Sequence, residues 1–177
     1  YIIYYNKNMN QISNWVKYCL EVIPSKKGIA LDLACGKGRH SMFLSSYGYH
    51  VLAVDINKEN LSCFDNKLIE KKTKDIENLK NWPLKEKKFD IIVVTNFLNR
   101  TIFPSIIKSI NKGGYLIYET FSEGQQNVGK PSNPDYILQR RELITLCFQL
   151  NLIAYEEIHT ENPINNTFKQ RILSMHV

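Results

Sequence analysis

The chain has 177 residues, 44% of them hydrophobic and 23% charged, the usage of a globular domain that can bury a full core, which excludes a disordered chain. Its net charge of +6 comes from lysines dispersed among acidic residues, which reads as a solvated surface and not as a nucleic-acid track. The four cysteines, Cys19, Cys35, Cys63 and Cys147, are far apart with no CxxC pair, which argues against a metal site or a disulfide framework and fits reduced thiols in the cytoplasm.

The opening YIIYYNKNMNQ has no long apolar core followed by a cleavage site, so no secretory signal is expected. No apolar run reaches the ~20 residues of a membrane-spanning helix. Residues 13–23 read as a helix: Ser13 can cap it, Trp15, Val16, Cys19, Leu20 and Ile23 recur at helical spacing, and Pro24 and Gly28 end it. IALDLA at 29–34 is a short buried strand, with Gly36 and Gly38 immediately after it. Residues 39–47 form a helix with Met42, Phe43 and Tyr47 on one side, closed by Gly48. YHVLAV at 49–54 is a second strand that ends at Asp55; 58–72 read as a helix and 74–77 as a short third strand.

FDIIVVT at 89–95 is continuous and β-branched, as a parallel strand covered on both faces should be. A helix follows at 104–110, then a strand at 115–119, a Gly/Pro/Asn/Ser-rich loop at 122–134, a helix at 141–150, a strand at 152–158, a turn at 162–166 and a strand at 168–177. Strands alternating with helices predict an α/β chain with a Rossmann-like, doubly wound, mostly parallel seven-stranded sheet, and the short turn before the last strand makes that strand antiparallel. No linker or repeat divides the chain. One domain over 1–177 is expected, with 1–28 an N-terminal helical extension and 29–177 the core.

The segment Leu31-Asp32-Leu33-Ala34-Cys35-Gly36-Lys37-Gly38-Arg39-His40 joins the first strand to the first core helix. Open α/β sheets bind ligands at the carboxyl ends of their strands. Two glycines permit a tight turn and a close backbone approach, and the helix start offers unpaired N–H groups to a carboxylate. The third position of the dinucleotide fingerprint is Ser41 here, not glycine. Asp32 on the same strand end suits an ammonium, directly or through water, and opposes a pyrophosphate. Asp55 at the end of the second strand suits a ribose diol. Cys35 reads as a small packing residue and His40 as a packed or capping one.

LDLACGKGRH followed by YHVLAVDIN resembles the class I S-adenosylmethionine (SAM)-dependent methyltransferases. SNWV, DIE…WPL…FDIIVVTNFLNR, GGYLIYETF and GKPSNPDYIL resemble the bacterial tellurite-resistance-type subgroup, so the likeness runs from about Ser13 to near the end. The resemblance implies SAM as cofactor, with Asp32, Gly36 and Gly38 at its methionine part and Asp55 and the Ile56 backbone at ribose and adenine. It places Asp75 at the adenine amino group, Ile76 beside the ring, and Thr95 and Asn96 at the end of the fourth strand near the methionine part and sulfonium. Cys35 and Arg39 complete the expected cofactor-binding set.

Methyl transfer needs alignment and exclusion of water more than a fixed triad. Arg100 and Glu119 are the candidate catalytic residues, Arg100 as an anion clamp and Glu119 as a base or cation site, each weighed against a structural ion pair or hydrogen bond. The loop at 124–134 is a candidate lid. A small-molecule acceptor is expected, without metal or membrane, since Thr95-Asn96-Phe97-Leu98 stands where many amino-group nucleic-acid methyltransferases carry an Asn/Asp-Pro-Pro-aromatic motif. The alternatives are an RNA or protein methyltransferase, a non-catalytic SAM-binding protein and an NAD-dependent oxidoreductase.

Overall fold

The computed structural model describes residues 11–24, 27–77, 82–161 and 166–177. Seven strands, β1 (Gly28–Leu33), β2 (Tyr49–Asp55), β3 (Ile69–Thr73), β4 (Phe89–Thr95), β5 (Ile110–Phe121), β6 (Asn151–Thr160) and β7 (Thr167–Met175), form one sheet in the order β3-β2-β1-β4-β5-β7-β6. The pairs β3–β2, β2–β1, β1–β4 and β4–β5 are parallel, while β7 runs antiparallel to both β5 and β6. This is the expected Rossmann-like sheet with an antiparallel last strand. The strand order reverses between β1 and β4, which opens a crevice at their carboxyl ends.

Helices α1 (Asn14–Val22), α2 (Arg39–Ser46), α3 (Lys58–Ser62), α4 (Phe103–Lys108), α5 (Gln125–Val128) and α6 (Glu142–Leu146) connect or flank the strands. Two clusters fill the two faces of the sheet. One gathers Leu31, Leu33, Val54, Ile92, Val94, Tyr118 and Ile172 under α4 and α6; the other gathers Ala30, Val51, Ala53, Ile91, Val93, Ile117 and Leu173 under α1 and α2. The central strands are apolar on both sides because both faces are covered.

Ser13 caps α1 as expected, its hydroxyl accepting from the Trp15 N–H at 3.1 Å. Elsewhere the boundaries shift. The helix expected over 58–72 stops at Ser62, and the third strand is β3 at Ile69–Thr73, not 74–77. Lys and Glu favour helix in isolation, but Ile69 is buried and the free edge of β2 supplies a full ladder of backbone partners, so tertiary pairing overrides propensity. The strand expected at 115–119 extends back to Ile110, across Gly113 and Gly114, and the helix at 141–150 shortens to α6. The inward face of α2 is His40, Ser41, Leu44 and Ser45; Met42, Phe43 and Tyr47 are only partly buried. The turn expected at 162–166 lies, but for Asn166, outside the described residues.

Candidate active site

Where β1 ends, the chain turns back on itself through three left-handed residues, Ala34, Gly36 and Gly38 (φ 55°, 54° and 73°). The two glycines serve different ends. A Cβ at Gly38 would stand 2.4 Å from the Phe64 ring, so this glycine lets the loop close onto its own core. A Cβ at Gly36 would meet nothing within 4 Å; its backbone faces open space. Asp55 fixes that backbone in place: Oδ2 accepts from the Gly36 N–H at 2.7 Å and Oδ1 from the Asn57 N–H at 2.8 Å. Each carboxylate oxygen retains a further lone pair for a ligand hydroxyl. Asp55 does not cap α3; Asn57 does.

Asp32 lies beneath the loop. It is 1% exposed and its Oδ2 accepts from Ser41 Oγ at 2.6 Å, which joins β1 to α2. Ser41 fills the position that a third glycine would hold. Burial pushes the Asp32 carboxyl up to about 7, so the carboxyl is a weaker charge against pyrophosphate than its place in the sequence implied. Cys35 is buried, and burial raises its thiol well above the ordinary value, as suits a packing residue. Around the same rim, Ile56 is 66% exposed at the end of β2. Asp75 is exposed just past β3, with Oδ1 accepting from the Glu77 N–H, whereas Ile76 turns into the core.

On the far side of β4 a polar cleft of about 370 Å³ is lined by residues from Gln11 to Asn14 and by Arg39, Asn96, Glu119, Lys169 and Arg171 among others. Glu119 is buried and engaged on both oxygens. Lys169 Nζ lies 3.0 Å from Oε1, Arg171 Nε lies 2.7 Å from Oε2, and Ser13 Oγ donates to Oε2 at 3.1 Å. Lys169 also donates to Asn96 Oδ1 at 2.8 Å and lies over the Phe121 ring. Burial pulls the Lys169 ammonium below its ordinary value, although Glu119 opposes the shift. Arg39 reaches across to the Gln11 carbonyl at 3.1 Å.

Sequence reasoning missed Lys169 and Arg171. The register places them opposite Phe121 and Glu119. Their signal was two cations at i and i+2 of the last strand, which puts both on one face.

A family model described as tellurite resistance protein TehB matches residues 3–173. The chain belongs to the TehB family.

A curated TehB-family relative from Haemophilus influenzae (strain 10810), named "Probable S-adenosyl-L-methionine-dependent methyltransferase TehB", is 32% identical over 97% of this chain. The chain spans 64% of that relative's length. Among solved structures, TehB from Haemophilus influenzae superposes with a TM-score of 0.75 at 22% identity, covering 97% of this chain and 64% of that one. A SAM-dependent methyltransferase from Methanosarcina mazei superposes with a TM-score of 0.69 at 18% identity, covering 89% and 96%. At these identities the superpositions speak for the shared fold.

The TehB-family chain thus brings Gly36, Asp55, Thr95, Asn96 and Glu119 to one end of the sheet. It does not bring Arg100 to the cleft. The Arg100 guanidinium meets both Glu142 oxygens (2.5 and 2.9 Å) and the carbonyls of Asp135 and Ile137 (both 2.8 Å), and the Glu142 carboxylate holds it above its usual value. It borders a separate cavity of about 630 Å³ beneath the 132–140 loop. No group of three or more His, Cys, Asp or Glu among the described residues could hold a metal ion, and no described helix is long and apolar enough to cross a membrane.

Proposed function

We propose that this chain is a cytoplasmic SAM-dependent methyltransferase that transfers the methyl group to a small anionic acceptor, with 29–177 as its single catalytic core and 1–28 as an extension. The observation that carries the SAM reading is the open backbone face at Gly36, held by Asp55 at the carboxyl ends of β1 and β2. A ligand laid against that face meets the Asp55 carboxylate, the Ile56 side chain and the start of α2, so the residues fit a nucleoside carrying a charged amino-acid tail. The family match and the curated relative's name support the same reading.

In this reading the open lone pairs of Asp55 take the ribose hydroxyls, Ile56 covers the adenine and Asp75 meets its amino group. Gly36 and Gly38 admit the methionine part beside Thr95 and Asn96. Asp32, Cys35 and Ile76 act from within by shaping the loop and the adenine wall. When bound, SAM would supply a methyl already made electrophilic by its sulfonium, for in-line transfer to an acceptor lone pair with release of the thioether. The chain's own contribution is alignment and a dry, charged surround.

The charge of the cleft supports an anionic acceptor. Three cations, Arg39, Lys169 and Arg171, line the cleft with one carboxylate, Glu119, while Glu156 meets Arg171 from outside that lining. Glu119 is tied to Ser13, Lys169 and Arg171, so it holds the cations in place instead of removing a proton. An acceptor that arrives ionised needs no base.

The test is calorimetric titration with SAM, S-adenosylhomocysteine and NAD. We expect saturable binding of the first two only. Gly36→Val should abolish it, and Asp55→Ala should weaken it about tenfold or more, the loss of hydrogen bonds to a charged group, with both variants still folded by circular dichroism. Binding of NAD but not SAM would replace this reading with the oxidoreductase one.

A further inference from the structure

His40 is 1% exposed at the heart of the site, and both its ring nitrogens are engaged. Nε2 lies 3.2 Å from the Ser13 backbone nitrogen, and Nδ1 lies 3.3 Å from Thr95 Oγ1. A backbone N–H can only donate, so Nε2 must hold the lone pair and the neutral ring carries its proton on Nδ1. Thr95 Oγ1 is then the acceptor of that bond, and its own proton is free to be donated elsewhere. Burial, reinforced by Arg39 and Lys169, keeps the ring neutral, with its pKa lowered to about 3.

Thr95 is the last residue of β4 and is partly exposed. Its neighbour Val94 pairs with Leu33, so Thr95 stands beside Ala34, where the glycine loop leaves β1. This is the crevice where the strand order reverses. With the ribose at Asp55 on β2, the part of SAM that reaches β4 is its sulfonium and amino-acid end. Of the groups there, the sulfonium and ammonium repel a hydroxyl proton, and the carboxylate accepts one.

We propose that His40 is a positioning residue whose Nδ1–H fixes the Thr95 hydroxyl as a hydrogen-bond donor to the amino-acid carboxylate of SAM. The inference rests on the SAM reading above. It also links the start of α1 to the cofactor, because the tautomer is set by the Ser13 N–H.

Two measurements test it. In the ligand-free protein, the nitrogen-15 shifts of the His40 ring should show Nδ1 protonated and Nε2 bare between pH 5 and 8; a protonated Nε2 overturns the proposal. In calorimetry, Thr95→Val should weaken SAM about tenfold or more and leave the affinity for decarboxylated SAM at the wild-type value. His40→Gln keeps an acceptor for Ser13 but loses the donor to Thr95, and should resemble Thr95→Val. His40→Asn keeps a donor at the Nδ1 position and should stay close to wild type. If His40 merely fills space, the smaller asparagine is the more damaging change, and that order of affinities overturns the proposal, as does equal weakening of both ligands by Thr95→Val. Failure of the wild type to bind SAM at all would sink the reading of the preceding subsection, whereas an Nε2-protonated ring with SAM binding intact sinks this one alone.

Discussion

Asp32 and Asp55 are both carboxylates near strand ends, and the sequence reads both as facing a ligand. Their surroundings separate them. Asp55 accepts two backbone N–H bonds at the rim, while Asp32 lies inside with Ser41 as its hydrogen-bond donor. Burial raises the Asp32 carboxyl from its ordinary 3.8 to about 7. Between those values the folded chain holds a proton that the unfolded chain has released, so this group makes stability fall as pH rises through the window and level off above it. Asp32→Asn keeps a neutral partner for Ser41 and removes that dependence. The drop in thermal midpoint from pH 5 to pH 8 should therefore be smaller in Asp32→Asn than in the wild type; identical drops would show that the carboxyl ionises freely in the fold. What sequence supplied here was the residue type and its strand. Whether the side chain faced ligand or core depended on α2 packing across it.

At the scale of elements, Arg100 shows how a plausible anion clamp becomes a brace. It leaves the turn after β4 and binds Glu142 at the start of α6 together with two carbonyls of the intervening loop. These contacts join segments about forty residues apart in the chain, which no local pattern reports. Arg100→Met should cost about 2 kcal/mol in urea unfolding, the worth of hydrogen bonds to charged groups at a partly exposed site. Amide exchange should quicken over 135–142, with SAM affinity unchanged. A large loss of SAM affinity in a stable variant would return Arg100 to the binding site. The same lesson holds for β3, where a Lys-rich stretch of helical propensity becomes a strand because β2 offers it an edge.

Over the whole molecule, the site is assembled from both ends of the chain. Ser13 touches Glu119 and His40, and Trp15, buried in the second core, donates from Nε1 to the Ile172 carbonyl at 3.4 Å. Trp15→Ala should therefore cost about 3–5 kcal/mol, the usual penalty for emptying a buried indole site, read as a lower urea midpoint. SAM affinity should fall with it, because the start of α1 loses its anchor on the sheet; an unchanged affinity would mean that the Ser13 contacts stand without Trp15. By itself the sequence determined the alternation of strands and helices, the antiparallel ending, and the glycine loop with its two flanking aspartates. These are local signals, written in periodicity and in the backbone freedom of Gly36 and Gly38. Only the tertiary structure decided that Arg100 braces a loop, that Glu119 is held by Lys169 and Arg171 from β7, and that His40 joins Ser13 to Thr95. Those pairings depend on which strands lie side by side and in what register, and a linear pattern carries no record of that.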